Sequence, residues 1–263
     1  MEAAKNIRNA VWGKNKFSGI EMKIIDKIES QIKNIPQGQV FAYTDFDIEV
    51  KRKDTIVKTL NNLVAKGIIA KLSKGKFYKP QVTEFGTLLP SSYQIVKDFI
   101  EKDRRLIGYL TGYSVYNDLL LATQITNVIQ IGTNKYRRPL QRGNYQISFV
   151  LQPNKITKTN YRLLQILDAV RFVRSIPATT TDEACKRLIQ IFKELTTKEQ
   201  EKITNFAVNY TDYVRALCGA ILEVNNANKS LLTLLSKSLN GVSSYKLDIS
   251  NYILPTKTKW RII

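Results

Sequence analysis

The stretch KRKDTIVKTLNNLVAKGIIAKLSKGKFYKP, residues 51–80, carries the decision about fold. Ile56, Leu60, Leu63 and Val64 recur at three- and four-residue spacing, which predicts a helix from Arg52 to Lys66 with one apolar stripe. Gly67 follows where a glycine commonly ends a helix. Ile68 to Leu72 and Lys76 to Tyr78 then read as two short strands joined by Ser73-Lys74-Gly75, with Pro80 closing the unit. The helix face opposite the stripe is read as Lys53, Thr55, Lys58, Thr59, Asn62 and Lys66, with no acid on it.

Towards the N-terminus, Ile24, Ile25, Ile28 and Ile32 predict a helix beginning near Ile20, stopped by the turn-forming run Asn34-Ile35-Pro36-Gln37-Gly38. Gln39 to Tyr43 reads as extended, and Thr44 stands where it would cap a brief second helix over residues 45–50. The order is helix, turn, short helix, amphipathic helix, glycine, basic hairpin. That is the plan of a winged helix-turn-helix. A helix in this position is slim enough to enter a major groove. Thr55, Lys58, Thr59 and Asn62 are then expected near base edges. Lys51, Arg52 and Lys53 crowd the helix N-terminus, where the dipole favours phosphate, and Lys71, Lys74, Lys76 and Lys79 offer the hairpin to the flanking backbone. Winged helices also serve as protein-interaction modules, so an RNA- or protein-binding adaptor that never reads DNA is the alternative from a different class.

Beyond residue 82 a second, mixed domain is expected, running to residue 263, so that the fold class as a whole is α+β. Thr83 to Pro90 reads as a connector and Ser91 or Ser92 as the cap of a helix reaching about Arg104. A β-containing part is expected over about 106–155. There Val128 to Gly132 reads as one strand, and the alternation of Tyr145, Ile147, Phe149 and Leu151 as its returning partner. Between them lies a second basic patch, Lys135, Tyr136, Arg137, Arg138 and Arg142, which would extend a footprint along phosphates. A helical part is expected over about 156–245: Leu163, Leu164, Leu167 and Val170 stripe one helix, Leu188, Ile191, Phe192 and Leu195 another capped by Thr181, and further stripes run through Val214 to Ile221 and Leu231 to Leu235. Residues 245–263 read as an edge strand and tail.

The chain of 263 residues carries a formal charge of +19 and no histidine. At roughly 150 residues per domain, that length suggests two domains. The surplus is spread along the chain and densest in the first 80 residues, which points to a polyanionic partner. Lack of histidine excludes Ser–His and Cys–His nucleophile pairs, His zinc ligands and an imidazole proton shuttle. Cys185 and Cys218 lie in apolar helical patterns and read as small buried hydrophobes. No run approaches the ~18 apolar residues of a membrane span, and MEAAKNIRNAVWGKNKF has no apolar signal-peptide core, so a cytoplasmic protein is expected. Asp45-Phe46-Asp47 has the acid-x-acid spacing that holds two magnesium ions in nucleotidyltransferases, but the preceding turn, Pro36-Gln37-Gly38-Gln39, lacks the Gly-Ser pair that such sites need. Glu21-Met22-Lys23 has nuclease-like spacing without an acid upstream, and neither a phosphate-binding loop nor a nucleophile elbow occurs. The residues therefore predict a binding protein rather than an enzyme, with no cofactor and no metal.

A set of motifs in order carries a resemblance. Lys74-Gly75-Lys76-Phe77-Tyr78-Lys79-Pro80 is followed by Phe85-Gly86, Pro90-Ser91, Gly112-Tyr113, Asn117, Leu119-Leu120 and Thr123-Gln124, with a strand and Arg137-Arg138 beyond. Over residues 20–155 this resembles the AbiEi-type antitoxins of bacterial type IV toxin–antitoxin (abortive infection) systems, which act in phage defence; the helical remainder matches by layout alone. The resemblance implies an N-terminal winged helix that binds double-stranded DNA at operator repeats in its own promoter and represses it. It further implies a C-terminal domain that neutralises a nucleotidyltransferase-like toxin without forming a stable complex with it, and no membrane partner. The chain departs from that pattern in the polar, acidic segment Gln39 to Val50 and in an additional basic extension over the first 18 residues, with Lys5, Arg8, Lys14 and Lys16.

Overall fold

A computed structural model describes residues 19–46, 52–124 and 126–263. The described residues form a mixed α+β structure that divides into two compact units, Met1–Ile95 and Val96–Ile263. Among them, no helix is long and apolar enough to cross a membrane.

In the first unit α1 (Gly19–Asn34) is followed by β1 (Val40–Ala42), a 3-10 turn (Tyr43–Asp45), α2 (Lys53–Ala65), β2 (Ala70–Ser73) and β3 (Lys76–Tyr78). The strands form one antiparallel sheet in the order β1-β3-β2, with Phe41 opposite Phe77. Ile28 and Ile32 of α1, Phe41, Phe46, Phe77 and Ile69 enclose Ile56, Leu60 and Leu63 of α2. The apolar repeats on α1 and α2 fold as helices because each stripe is buried against the other and against the sheet. Lys79 ties the two ends of the unit: its ammonium donates to the Lys33 carbonyl in the last turn of α1, 2.9 Å away. Two expectations change here. Thr44 lies inside the 3-10 turn instead of capping a helix, and the carboxylate of Asp45 accepts the Ala42 amide at 2.8 Å. The rest of the expected short helix, residues 47–50 with Asp47, lies outside the described residues, as does Lys51, expected at the N-terminus of the next helix.

The segment read as a connector is a hairpin, β4 (Gln81–Thr83) with β5 (Gly86–Leu88). Next, α3 (Ser92–Ile100) ends four residues earlier than the sequence suggested. Asp103 and Arg104 both adopt positive φ, 50° and 60°, and fold Glu101–Lys102 (β6) back on Arg105–Leu106 (β7). That is the geometry of a two-residue hairpin turn, adopted without glycine.

The main sheet of the second unit runs β10-β11-β9-β8, with β8 Gly108–Thr111, β9 Val128–Thr133, β10 Leu140–Arg142 and β11 Tyr145–Leu151. β11 is not the returning partner of β9: the two run parallel, and the strand antiparallel to β11 is the unforeseen β10. The chain turns tightly at Gly143, with φ of 58°. The connection leaving β9 is held by Asn134, whose amide donates to the carbonyls of Gln152 and Asn154 and whose carbonyl oxygen accepts the Ile156 amide.

Against this sheet packs α4 (Tyr161–Arg171), and on α4 and on one another pack α5 (Thr181–Lys193), α6 (Thr197–Ala207), α7 (Asp212–Val224) and α8 (Lys229–Lys237). The cap of α5 is Thr180, one residue before the expected Thr181, in a reciprocal box with Glu183; Thr196 and Glu199 repeat the motif at α6. Cys185 and Cys218 are both free and buried. The tail is no mere edge strand. Its single parallel bridge joins Tyr245 to Ile262, and Trp260 is buried against α7, where Gly219 leaves room for the indole. A Cβ on Gly219 would come within 2.0 Å of that ring.

Sheet and helices also share a buried polar knot. Asp168 of α4 is fully buried and accepts from the Tyr109 hydroxyl (2.6 Å), the Thr111 hydroxyl (2.7 Å) and the Tyr210 hydroxyl (2.9 Å). Gln152 donates its amide to both tyrosine hydroxyls, each at 2.6 Å. Burial raises the Asp168 carboxyl above its ordinary pKa, partly offset by the three hydroxyl donors, and burial also pushes both tyrosines up. Every donor here has an acceptor, so the knot fixes how sheet and helices dock.

Candidate nucleic-acid interface

Helix α2 buries Ile56, Thr59, Leu60 and Leu63. Residues on the opposite side of a 3.6-residue helix are then Asp54, Lys58, Asn61 and Ala65, and all four are exposed. Thr59 therefore does not reach outward: it is 2% exposed and donates its hydroxyl to the Thr55 carbonyl at 2.8 Å. A threonine satisfied by the carbonyl four residues back is compatible with an apolar stripe, which is why period alone misplaced it. Thr55 and Asn62 are half-buried on the flanks of the outward face. Asn61, unremarked in the sequence, stands near its centre, and Asp54 adds an acid at the first turn, where a carboxylate suits the helix dipole.

The hairpin and the start of α2 meet at Tyr43, which sequence reasoning passed over. Lys53 holds its ammonium 5.0 Å from the centre of the Tyr43 ring. The hairpin turn reaches the same ring through Gly75, whose added Cβ would lie 4.0 Å from it. Gly75 has φ of 75°, a backbone conformation that favours glycine at the turn. Tyr43 thereby brings Arg52 and Lys53 at the helix N-terminus next to Lys74 and Lys76 flanking the hairpin turn. Lys71 and Lys74 are exposed, while Arg52 and Lys76 are half-buried. Lys79 stands apart from this ridge, since its ammonium closes α1.

The second basic patch divides. Lys135, Tyr136 and Arg138 are exposed. Arg137 lies over the rings of Phe99 and Phe149, at 5.4 and 5.9 Å. Arg142 is no phosphate contact: it is buried, 6% exposed, bonded through both terminal nitrogens to Asp98 at 2.7 and 3.0 Å, and 4.8 Å over Phe99. A bidentate pair on an aromatic face neutralises the charge and fixes the guanidinium in place. Asp98 lies 44 residues away in sequence, so nothing local announced the pairing.

Residues 27–203 match DUF6088, a family of unknown function. Among solved structures, the chain is similar to the RV2827C protein of Mycobacterium tuberculosis, with 14% sequence identity, a TM-score of 0.52 and coverage of 89% of this chain and 87% of that one. At that identity the likeness is one of fold alone. No curated protein sequence matches the chain.

Proposed function

Because the chain belongs to the DUF6088 family, whose function is unknown, its role is read from its own residues, and we propose that it binds double-stranded DNA through an N-terminal winged helix. In this reading α2 enters the major groove with Lys58 and Asn61 foremost and Thr55 and Asn62 at the sides. The β2–β3 hairpin is the wing, with Lys71, Lys74 and Lys76 on the phosphates. The observation that carries the proposal is the Tyr43 contact, which places the basic helix start beside the basic hairpin turn. Two separate elements with clustered cations, one of them helical and of groove width, suit a duplex better than a single charged loop would. Lys135 and Arg138 supply further phosphate contacts.

We further propose, on the motif resemblance, that the bound DNA is the chain's own promoter and that the protein is a cytoplasmic, non-catalytic type IV antitoxin. Its counterpart would be a nucleotidyltransferase-like toxin that it counters without a stable complex.

A mobility-shift titration with the upstream DNA tests the first proposal. Lys58→Ala should weaken specific binding more than Lys202→Ala, which changes an exposed lysine of α6 with no role in DNA binding. Equal effects refute the placement of α2. Growth rescue on co-expression with a neighbouring nucleotidyltransferase tests the second, and absence of rescue refutes it while leaving DNA binding standing.

A further inference from the structure

A cleft of about 410 Å³ opens in the second unit where α4 ends, between the 3-10 turn Val173–Ser175, the start of α7 and the segment 245–247. That volume lies in the range of small-molecule sites. Three of its lining side chains are cationic, Arg171, Arg174 and Lys246, and none is a carboxylate. Phe172, Tyr213 and Tyr245 are its aromatic lining residues.

The parts of the cleft are held in place by contacts with one another and with neighbouring segments. The Tyr213 hydroxyl donates to the Arg171 carbonyl at 3.0 Å and the Tyr245 hydroxyl to Asp212 at 3.4 Å, so both rings keep their edges fixed and leave ring surface to the cleft. Arg171 is braced over the Phe172 ring at 5.3 Å and donates to the Leu151 carbonyl at 3.2 Å. Lys246 is exposed, and the chain on either side of it is pinned by the C-terminus: Tyr245 exchanges backbone bonds with Arg261 and Ile263, and Leu247 donates to Ile263. Arg174 pairs with Asp248 at 3.3 Å, but both side chains are about half exposed, and such a pair yields readily to a more highly charged anion. Three cations from two separate segments, 171–174 and 246, share the cleft with three aromatic rings, and such a lining suits an anion that also carries a flat ring.

We propose that this cleft binds a nucleotide, with its phosphates on Arg171, Arg174 and Lys246 and its base against the tyrosines. The site stands apart from the DNA-binding reading and does not depend on it. Isothermal titration of the full chain with ATP, adenosine and inorganic phosphate, each in turn, tests it. ATP should saturate one site per chain and bind at least about tenfold more tightly than either fragment, since each fragment engages only the cations or only the rings. Lys246→Ala and Arg174→Ala, both surface changes, should each weaken ATP binding roughly fivefold or more, while Lys202→Ala leaves it unchanged. Tyr245→Leu should lower affinity for ATP and leave that for inorganic phosphate in place. Lack of saturable ATP binding overturns the proposal. So does phosphate binding as tightly as ATP, or an equal loss with Lys202→Ala. A duplex oligonucleotide displacing ATP in proportion would instead mark the cleft as part of a nucleic-acid track and overturn its assignment to a small ligand.

Discussion

Replacing Asp168 with alanine probes the polar knot that docks sheet to helices in the second unit. Three hydroxyl donors, from Tyr109, Thr111 and Tyr210, converge on this carboxylate, and each is buried. A buried donor left without an acceptor costs about 1–3 kcal/mol. The net loss is smaller than the sum because burying the carboxylate carries its own cost. The expected loss for Asp168→Ala is therefore about 3–5 kcal/mol, the range found when one partner of a buried charged network is removed. Asp168→Asn retains an acceptor for two of the hydroxyls and turns an amide towards the third, so about 1–3 kcal/mol is expected. Urea unfolding followed by the fluorescence of Trp260, in a Trp12→Phe background, reads this unit directly, since the chain has only two tryptophans. An Asp168→Ala midpoint within about 1 kcal/mol of the parent, or an Asn variant as damaged as the Ala variant, would refute the assignment of the knot as a structural tie.

Further outcomes follow from the same reasoning. Gly219→Ala drives a methyl into the Trp260 ring and should destabilise the second unit by about 1–3 kcal/mol, with shifted Trp260 fluorescence; an unchanged melting temperature would show that the tail does not pack on α7. Glu183 and Glu199 have pKa values lowered by bonds from the Thr180 backbone and the Thr196 side chain respectively. A carboxyl whose folded pKa is depressed contributes stability that is present above its ordinary 4.5 and lost as pH falls below it. The double variant Glu183→Gln/Glu199→Gln should thus lose less stability between neutral pH and pH about 3 than the parent does, as read by urea midpoints. On DNA, Asn61→Ala should lower discrimination between operator and random duplex by about 1–3 kcal/mol, whereas Thr59→Val, a buried change, should leave it intact; the reverse order would restore the face first read from the sequence.

The parts of the fold that were legible in the sequence are those governed by local period. The isoleucines of α1 and the stripe on α2 each bury one face, and the spacing alone fixes which residues do so. What was not legible depends on partners distant in the chain. Nothing near Tyr145 says that its strand will lie parallel to β9, because a parallel ladder is set by the connection between strands and not by alternation. Nothing near Arg142 says that Asp98 will neutralise it. The β6–β7 hairpin was hidden for another reason: Asp103 and Arg104 adopt left-handed backbone without the glycine that signals such turns. Within the candidate interface the face was misjudged at Thr59, and the meeting of helix and hairpin at Tyr43 is a tertiary contact with no sequence signal.

The salt dependence of DNA binding is the most direct test of the central claim, compared between the parent and a Lys53→Ala/Lys71→Ala/Lys74→Ala variant on the upstream duplex and on a shuffled one. If these three ammonium groups neutralise phosphates, the slope of log K against log salt should become shallower by about 0.9 for each, with the parent preferring the upstream duplex at every salt concentration. An unchanged slope, or equal affinity of the parent for both duplexes throughout, would contradict the account.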